Sequence, residues 1–563
     1  MRKEKYDTPR LMNDKLKQFF LSNAGLWLIF ILWALFCSNF WLPRNWGFYG
    51  TDDWDLTYST FEVARKSIVE YGQWPSFNPY CAFGSDLDAN PQATHISIFF
   101  IPVLLFGTFY GYKISILLAM LLGAWGAFKL FEILSKDRLI AVCMSLIFCG
   151  SAYFSRHIFE AGHSNVLYLY LLPWLVYFLE KLRHDYQFKN FLWPILILCQ
   201  IIIGGAPFIF IICSLLMLLW SIGMIWIEKT GWKPVRFFLG VILFSLALSS
   251  IKIWPVLQFW NQMPRLVKDE SGINLLIWLQ ALCDLKTDTR TPHEWHEFAM
   301  GFSLVLLAFT IYYFKQILNG KKWLFLFAFV LWLSIGNTPS YVNPWYLLNH
   351  YVPIFTSLRA PYRFGILTVF ILSIAFIKST SKIEYKQLIY ILLISITLTQ
   401  TLSYNSISKK FIGSKYIEQF NAPNQEIIPI KKTYLEDKSQ FLLIRQNYLV
   451  QNAYEPLFLS PANDTMTNFV QGAQLLSFSP QKIKLLSHDS DVYLNIRYSA
   501  NWHLTGKGEL YDQKGLIGIK NSTDTIELQY DNPNFKIGLL STAFSALILC
   551  LFSFFIFRSK KLV

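Results

Sequence analysis

The chain has no CxxC pair and no Cys/His cluster at metal-ligand spacing, which excludes a cysteine-built metal site. It has no Walker loop, Rossmann glycine pattern or kinase signature, which argues against a nucleotide-driven cytoplasmic enzyme. Charge is scarce too. Asp, Glu, Lys and Arg make up 15% of 563 residues while 54% are hydrophobic, too apolar for an ordinary soluble multidomain protein. No repeat of fixed period appears, and no inverted-repeat symmetry. The first apolar run, 25–42, lacks a small-residue cleavage site and is expected to remain as an anchor.

What is abundant is apolar and aromatic. Aromatics reach 18%, as expected where amphipathic rings line membrane–water interfaces. Apolar runs of spanning length fall near 25–42, 112–134, 139–154, 164–180, 191–206, 208–227, 235–255, 299–318, 322–336, 364–378, 386–403 and 537–557. The formal charge of +14 sits in short Lys/Arg blocks flanking these runs, a topology signal rather than a nucleic-acid surface. A further run, 96–110, carries Pro102 and Gly107. If it dips into the membrane without crossing, every compact basic block falls on the cytoplasmic side with the N-terminus. The expected fold is therefore a polytopic α-helical membrane protein of about 12 transmembrane helices.

Under that topology the loops 43–95, 256–298 and 337–363 and the segment 404–536 all face outward. The expected organisation is a transmembrane module over 1–403, an extracytoplasmic β-rich domain over 404–536, and a final helix with a basic tail over 537–563. Short runs bounded by turn residues, Phe441–Ile444, Val492–Ile496, Gly515–Ile519 and Thr525–Gln529, are predicted as strands. Six cysteines lie in apolar runs and read as small buried hydrophobes, while Cys81 and Cys283 lie in outer loops where a pairing is conceivable.

The first outer loop is the most informative stretch. It opens Asp52-Asp53-Trp54-Asp55 just after the first span. Three carboxylates in four residues raise one another's pKa unless a cation or donor stands nearby, and a carboxylate tuned that way suits proton abstraction from a hydroxyl. The plainer reading makes Asp53 or Asp55 the N-cap of a helix beginning there. Further on, Asp86 and Asp88 are candidates to help hold a divalent ion with Asp52 or Asp53. His293-Glu294-Trp295-His296-Glu297 is not HExxH. Its histidines stand three apart and no third ligand is fixed, so zinc is not expected there. His163, in a loop at an outer edge, reads as a donor or a structural residue.

The order Gly72-x-Trp74-Pro75-x-x-Asn78-Pro79, then Gly84 to Asn90-Pro91-Gln92, resembles the YfhO-like family of bacterial membrane proteins, within the GT-C glycosyltransferase superfamily. Gly162-His163-Ser164, Leu172-Pro173-Trp174, Gly204-Gly205-Ala206-Pro207, Leu358-Arg359-Ala360-Pro361-Tyr362-Arg363 and Tyr498-Ser499-Ala500-Asn501-Trp502 carry the resemblance along the chain.

That resemblance implies a GT-C-like fold and an inverting glycosyltransferase. The donor is a polyprenyl-phosphate-linked sugar, and the acceptor an envelope glycolipid, polysaccharide or protein. A first-loop Asp is the base, with Asp52 and Asp53 both open and Asp55 third. Arg359 and Arg363, read as one helical turn apart, are candidates to clamp the departing phosphate. His163, Asn78, Asp86 and Asp88 complete the substrate-binding set. No cofactor is implied, and a donor with one phosphate requires no obligatory metal. The expected place is the bacterial cytoplasmic membrane, with the site facing outward and lipid but no nucleic acid as partner. The competing readings are a secondary transporter or lipid flippase, and a non-catalytic scaffold of envelope assembly. Transporters place ionisable groups near the midplane, whereas here the acids sit in outer loops.

Overall fold

The computed structural model describes residues 22–50, 53–184, 188–262, 270–286, 291–317, 321–380, 386–412, 415–416, 430–431, 440–450 and 469–559. Asp52 lies outside them. The fold is largely helical, with an antiparallel sheet before the last helix.

Among the described residues six helical stretches are long and apolar enough to cross a membrane: Ile98–Ser135, Arg138–Glu160, Pro207–Trp226, Pro361–Thr380, Lys386–Ile412 and Pro533–Leu551. The pair Lys233–Leu248 and Ser250–Gln258, bent by 74°, makes a seventh if it is one span. Shorter apolar helices, Asn23–Ser38 and Asn190–Ile203, stand beside them. Leu105, Leu243, Leu388 and Leu540 point outward from these helices, so the outer faces are apolar. Exposed apolar faces on long apolar helices mark a multi-pass membrane protein.

The run 96–110 does not continue straight into residues 112–134. Helix α1 (Ile101–Ser135) breaks at Gly107, whose φ of 79° leaves the helical region. The chain then doubles back: Ser115 Oγ donates to the Phe99 carbonyl at 2.6 Å. A Cβ on Gly111 would sit 2.4 Å from the Pro102 oxygen. Residues this far apart in sequence touch only in a helical hairpin, since a straight helix rises 1.5 Å per residue. The arm before Gly107 thus returns upon itself.

The C-terminal sheet has five strands: β1 (Val470–Gln471), β2 (Ala473–Ser479), β3 (Lys482–Arg497), β4 (Trp502–Gln513) and β5 (Leu516–Tyr530). Their order is β4-β5-β3-β1, with β2 also on β3, all antiparallel and curled into a near-closed barrel. Alternation explains it. Ile483 and Leu485, Val492, Leu494 and Ile496, Ile517 and Ile519, Ile526 and Leu528 all turn inward. The Val492–Ile496, Gly515–Ile519 and Thr525–Gln529 expectations fall in or at the edges of these strands.

Phe441–Ile444 does not. It lies in helix α2 (Gln440–Arg445), because the Asp55 carboxylate accepts the amides of Gln440 at 2.7 Å and Phe441 at 3.2 Å. The first loop is clasped to the C-terminal segment elsewhere as well. Val450 N donates to Tyr80 O at 2.7 Å, and Arg497 N to Phe83 O at 2.6 Å. Asp86 accepts from Tyr530 and Asn532, just before the last helix, α3 (Pro533–Ser559). All eight cysteines are free, Cys81 and Cys283 included.

Candidate active site

The site begins with one turn of backbone docked on another. Helix Trp54–Val69 starts at Asp53, which holds the N-cap position without a side-chain capping bond, so its carboxylate is free to face elsewhere. The loop 159–163 lies against this helix start. Trp54 Nε1 donates to Phe159 O at 3.1 Å, and Thr57 Oγ1 to Gly162 O at 3.1 Å. Gly162 has φ 76°, and a Cβ there would lie 2.3 Å from Trp54 N. Only glycine allows that approach.

The approach brings His163 Nε2 to 3.4 Å from Asp53 Oδ2. On its other side His163 Nδ1 meets His157 Nδ1 at 3.0 Å. His157 sits on a π-helical turn, Arg156–Glu160, a form frequent at functional sites. Burial alone would raise the Asp53 pKa. The His163 hydrogen bond and the charges of His163, Arg363 and Arg359 outweigh it and hold the carboxyl below its usual value. The carboxylate is ionised at neutral pH, and the donor and cations that the crowded acids required are present.

A second pair of residues arrives from the loop before residue 300. His296 and Glu297 ride a 3-10 turn, Trp295–Glu297. Trp295 Nε1 and the Arg156 guanidinium both bond Asp284, at 2.8 Å each, which pins that turn to the π-helical one. The His296 ring centroid lies 5.3 Å from that of His163. Burial, reinforced by His163, brings its pKa down to about 4, so the ring is neutral. Glu297 is forked by Arg363, with Nε to Oε2 and Nη2 to Oε1 both at 2.5 Å. Burial opposes its charge, but Arg363 holds the carboxyl well below the usual range. One ligand atom each from His163, His296 and Glu297 lies within 4.8 Å of the others. The segment His293–Glu297 lacks a third ligand in its own neighbourhood; folding brings one from 133 residues upstream, His296 minus His163.

Arg359 and Arg363 are not a helical turn apart. Ala360 between them is left-handed (φ 62°) and Pro361–Phe364 is a 3-10 turn, since the residue before proline avoids the helical region. Arg363 is mostly buried in its pair with Glu297. Arg359 is exposed and has no ion pair among the described residues.

In front of Asp53 and His163 a cleft of about 40 Å³ is lined by Thr57, Thr60, Asn90, Gln92, Thr94 and Asn165. Neutral hydrogen-bonding side chains beside an ionised Asp suit a hydroxyl-rich ligand. In this form the cleft admits a few waters. The Asn90-Pro91-Gln92 turn is held by Lys252 Nζ, which donates to Asn90 O at 2.6 Å. Gly205 lets it seat, because a Cβ there would lie 2.4 Å from Gln92 O.

The remaining expected site residues lie elsewhere. Asp55 is buried with both oxygens on backbone amides of α2. Asn78 is buried and accepts from Tyr80 N at 3.0 Å, a turn-forming contact. Asp86 accepts from Ala89 N, Tyr530 Oη and Asn532 Nδ2. Burial, then Asp88, pushes its pKa up to about 7. Asp88 accepts from Trp74 Nε1 at 3.0 Å and stands 3.4 Å from His95 Nε2. Asp86 and Asp88 therefore belong to a buried network that joins loop, sheet and last helix, apart from the cluster around His163. Sequence reading gave His157 no role, and it weighed His296 and Glu297 only as a zinc motif and set them aside. The one signal for them was the dense His/Glu pattern at 293–297.

No protein-family model, no curated protein and no solved structure matches this chain.

Proposed function

We propose that this chain is an inverting, GT-C-like glycosyltransferase of the bacterial cytoplasmic membrane, with about twelve spans and its site facing outward. It moves a sugar from a polyprenyl-phosphate donor to an envelope glycolipid, polysaccharide or protein. The observation that carries the reading is the ionised Asp53 held by His163 in a cleft whose other side chains are hydroxyls, amides, Leu56 and Phe61, with the charges of Arg359 and Arg363 in reach. The family resemblance in the first loop supports it, and so does the lack of any nucleotide-binding pattern.

In this mechanism the acceptor hydroxyl lies in the cleft and its oxygen bonds to the anomeric carbon. The bond from that carbon to the phosphate oxygen breaks, and the lipid phosphate leaves with the electron pair. The hydroxyl proton passes to Asp53, whose low basicity suffices because the oxygen acidifies as its new bond forms. His163 keeps Asp53 aimed, itself steadied by His157. Arg359, exposed and unpaired among the described residues, meets the departing phosphate as a planar fork. Arg363 is engaged by Glu297 and contributes charge at a distance.

The test tracks radiolabelled sugar from polyprenyl-phosphate donor into envelope material in membrane vesicles. Asp53→Asn keeps shape and removes the base, so transfer is expected to fall by roughly 10²–10⁴-fold with protein still in the membrane. Asp52→Asn is run beside it, because the sequence leaves the two acids open. Wild-type transfer in both variants overturns the catalytic reading and favours a scaffold. Substrate movement without transfer favours a transporter.

A further inference from the structure

We infer that His163, His296 and Glu297 form a binding site for one transition-metal cation of the zinc class, with a water as fourth ligand. Two imidazole nitrogens and one carboxylate oxygen are the donor set such ions take when a position stays open. The three ligand atoms lie within 4.8 Å of one another. Zinc–ligand bonds of about 2.0–2.2 Å place tetrahedral ligands roughly 3.4 Å apart, so closure needs about 1 Å of side-chain adjustment.

The second observation concerns the ring nitrogens that face away. A metal-bound histidine characteristically rests its other nitrogen on a polar partner, which fixes the ring. His163 has one. His163 Nδ1 is 3.0 Å from His157 Nδ1, leaving Nε2 for the ion. His296 Nε2 stands 3.8 Å from Glu297 Oε1, and its Nδ1 is buried with no hydrogen-bond partner among the described residues. Glu297 is bonded to Arg363, yet each carboxylate oxygen retains a second lone pair for a cation. The charges suit an ion as well. Asp53, Glu294 and Glu297 against Arg359 and Arg363 leave one net negative charge around the three histidines, and a divalent ion reverses it to favour an anionic ligand. This inference goes beyond the transfer reading and does not need it.

The experiment measures metal, not reaction. Full-length protein in detergent is stripped with chelator, dialysed against Zn²⁺, and its bound metal counted by mass spectrometry; Co²⁺ loading supplies an absorption spectrum. Wild type is expected to retain one tight equivalent, with the intense visible bands of low-symmetry four-coordinate cobalt. His163→Ala and His296→Ala lose it, while His350→Ala and His503→Ala, whose side chains are exposed and outside the cluster, keep it. Folded wild type that holds no metal overturns the inference. So does a tight equivalent that survives in His163→Ala and His296→Ala.

Discussion

Asp55 caps Gln440: the carboxylate accepts that residue's amide at 2.7 Å across 385 positions of sequence. An acid that opens one helix thereby fixes the start of another. Its removal is a stability event before it is a catalytic one. Asp55→Ala is expected to cost roughly 0.5–2 kcal/mol, toward the upper end because two amides lose their acceptor. Transfer per folded molecule stays near wild type. Thermal unfolding in detergent, beside the vesicle assay, separates the two. A folded Asp55→Ala protein without transfer contradicts the capping role.

Gly162→Ala tests the seat of the Asp53–His163 contact. The left-handed backbone alone makes alanine unfavourable by at least about 1 kcal/mol. The contact at 2.3 Å from Trp54 N adds to it by pushing the loop off the helix. Loss of transfer with only a modest fall in melting temperature is expected, and wild-type transfer in this variant speaks against a positional role for the loop.

The two arginines separate by burial. Arg363→Ala leaves Glu297 buried and uncompensated, a loss of about 3–5 kcal/mol that the double replacement with Glu297→Ala partly restores. Arg359→Ala leaves melting unchanged and raises the KM for donor roughly tenfold or more, the worth of a charge-assisted contact. Equal melting losses in the two single variants refute the distinction.

Asp86 predicts a pH dependence with a definite sign. Its folded pKa, about 7, lies above the ordinary carboxylate value of about 4, so the folded form holds a proton that the unfolded form has shed between those pH values. Stability contributed by this group is full below pH about 4 and declines as pH rises through about 7. Asp88 adds to the shift, while Lys252, Tyr530 and Asn532 face the same carboxyl. Asp86→Asn should flatten the decline in melting temperature between about pH 4 and 7, the window set by that pKa pair. An unchanged slope assigns the dependence elsewhere.

Topology is checked by labelling. With the basic blocks inside, a cysteine at His488 reacts with an impermeant reagent in intact cells, and one at Arg183 reacts after permeabilisation. External labelling at Arg183 sinks the twelve-span layout.

What the sequence made legible was what short-range pattern controls. Apolar length located the long helices, and short runs bounded by turn residues found β3 and β5. The misses are non-local. Phe441–Ile444 is too short to reveal its period, and what makes it helical is a carboxylate on the first loop. Pro361 warned against a helix between Arg359 and Arg363, yet the charge spacing was read without it. The Asp53–His163 meeting depends on Gly162, whose necessity shows only once Trp54 is seen beside it. His296 and Glu297 stand out in the sequence, but the third ligand that would give them meaning lies far away in the chain.

The clasp between the first loop and the sheet also sets a timetable. Asp86 is bonded to Asn532 and Tyr530, the latter 444 positions later. At a synthesis rate of about 5–20 residues per second, the loop waits roughly 20–90 s after emerging before those partners exist. Through that interval the stretch that presents Asp53 has no sheet to rest on. A ribosome stalled before residue 530 leaves every apolar helix but the last already made and the outer face still open. Closure of this clasp is therefore governed by the final strand, and a nascent chain shorter than that strand presents the first loop without its partners.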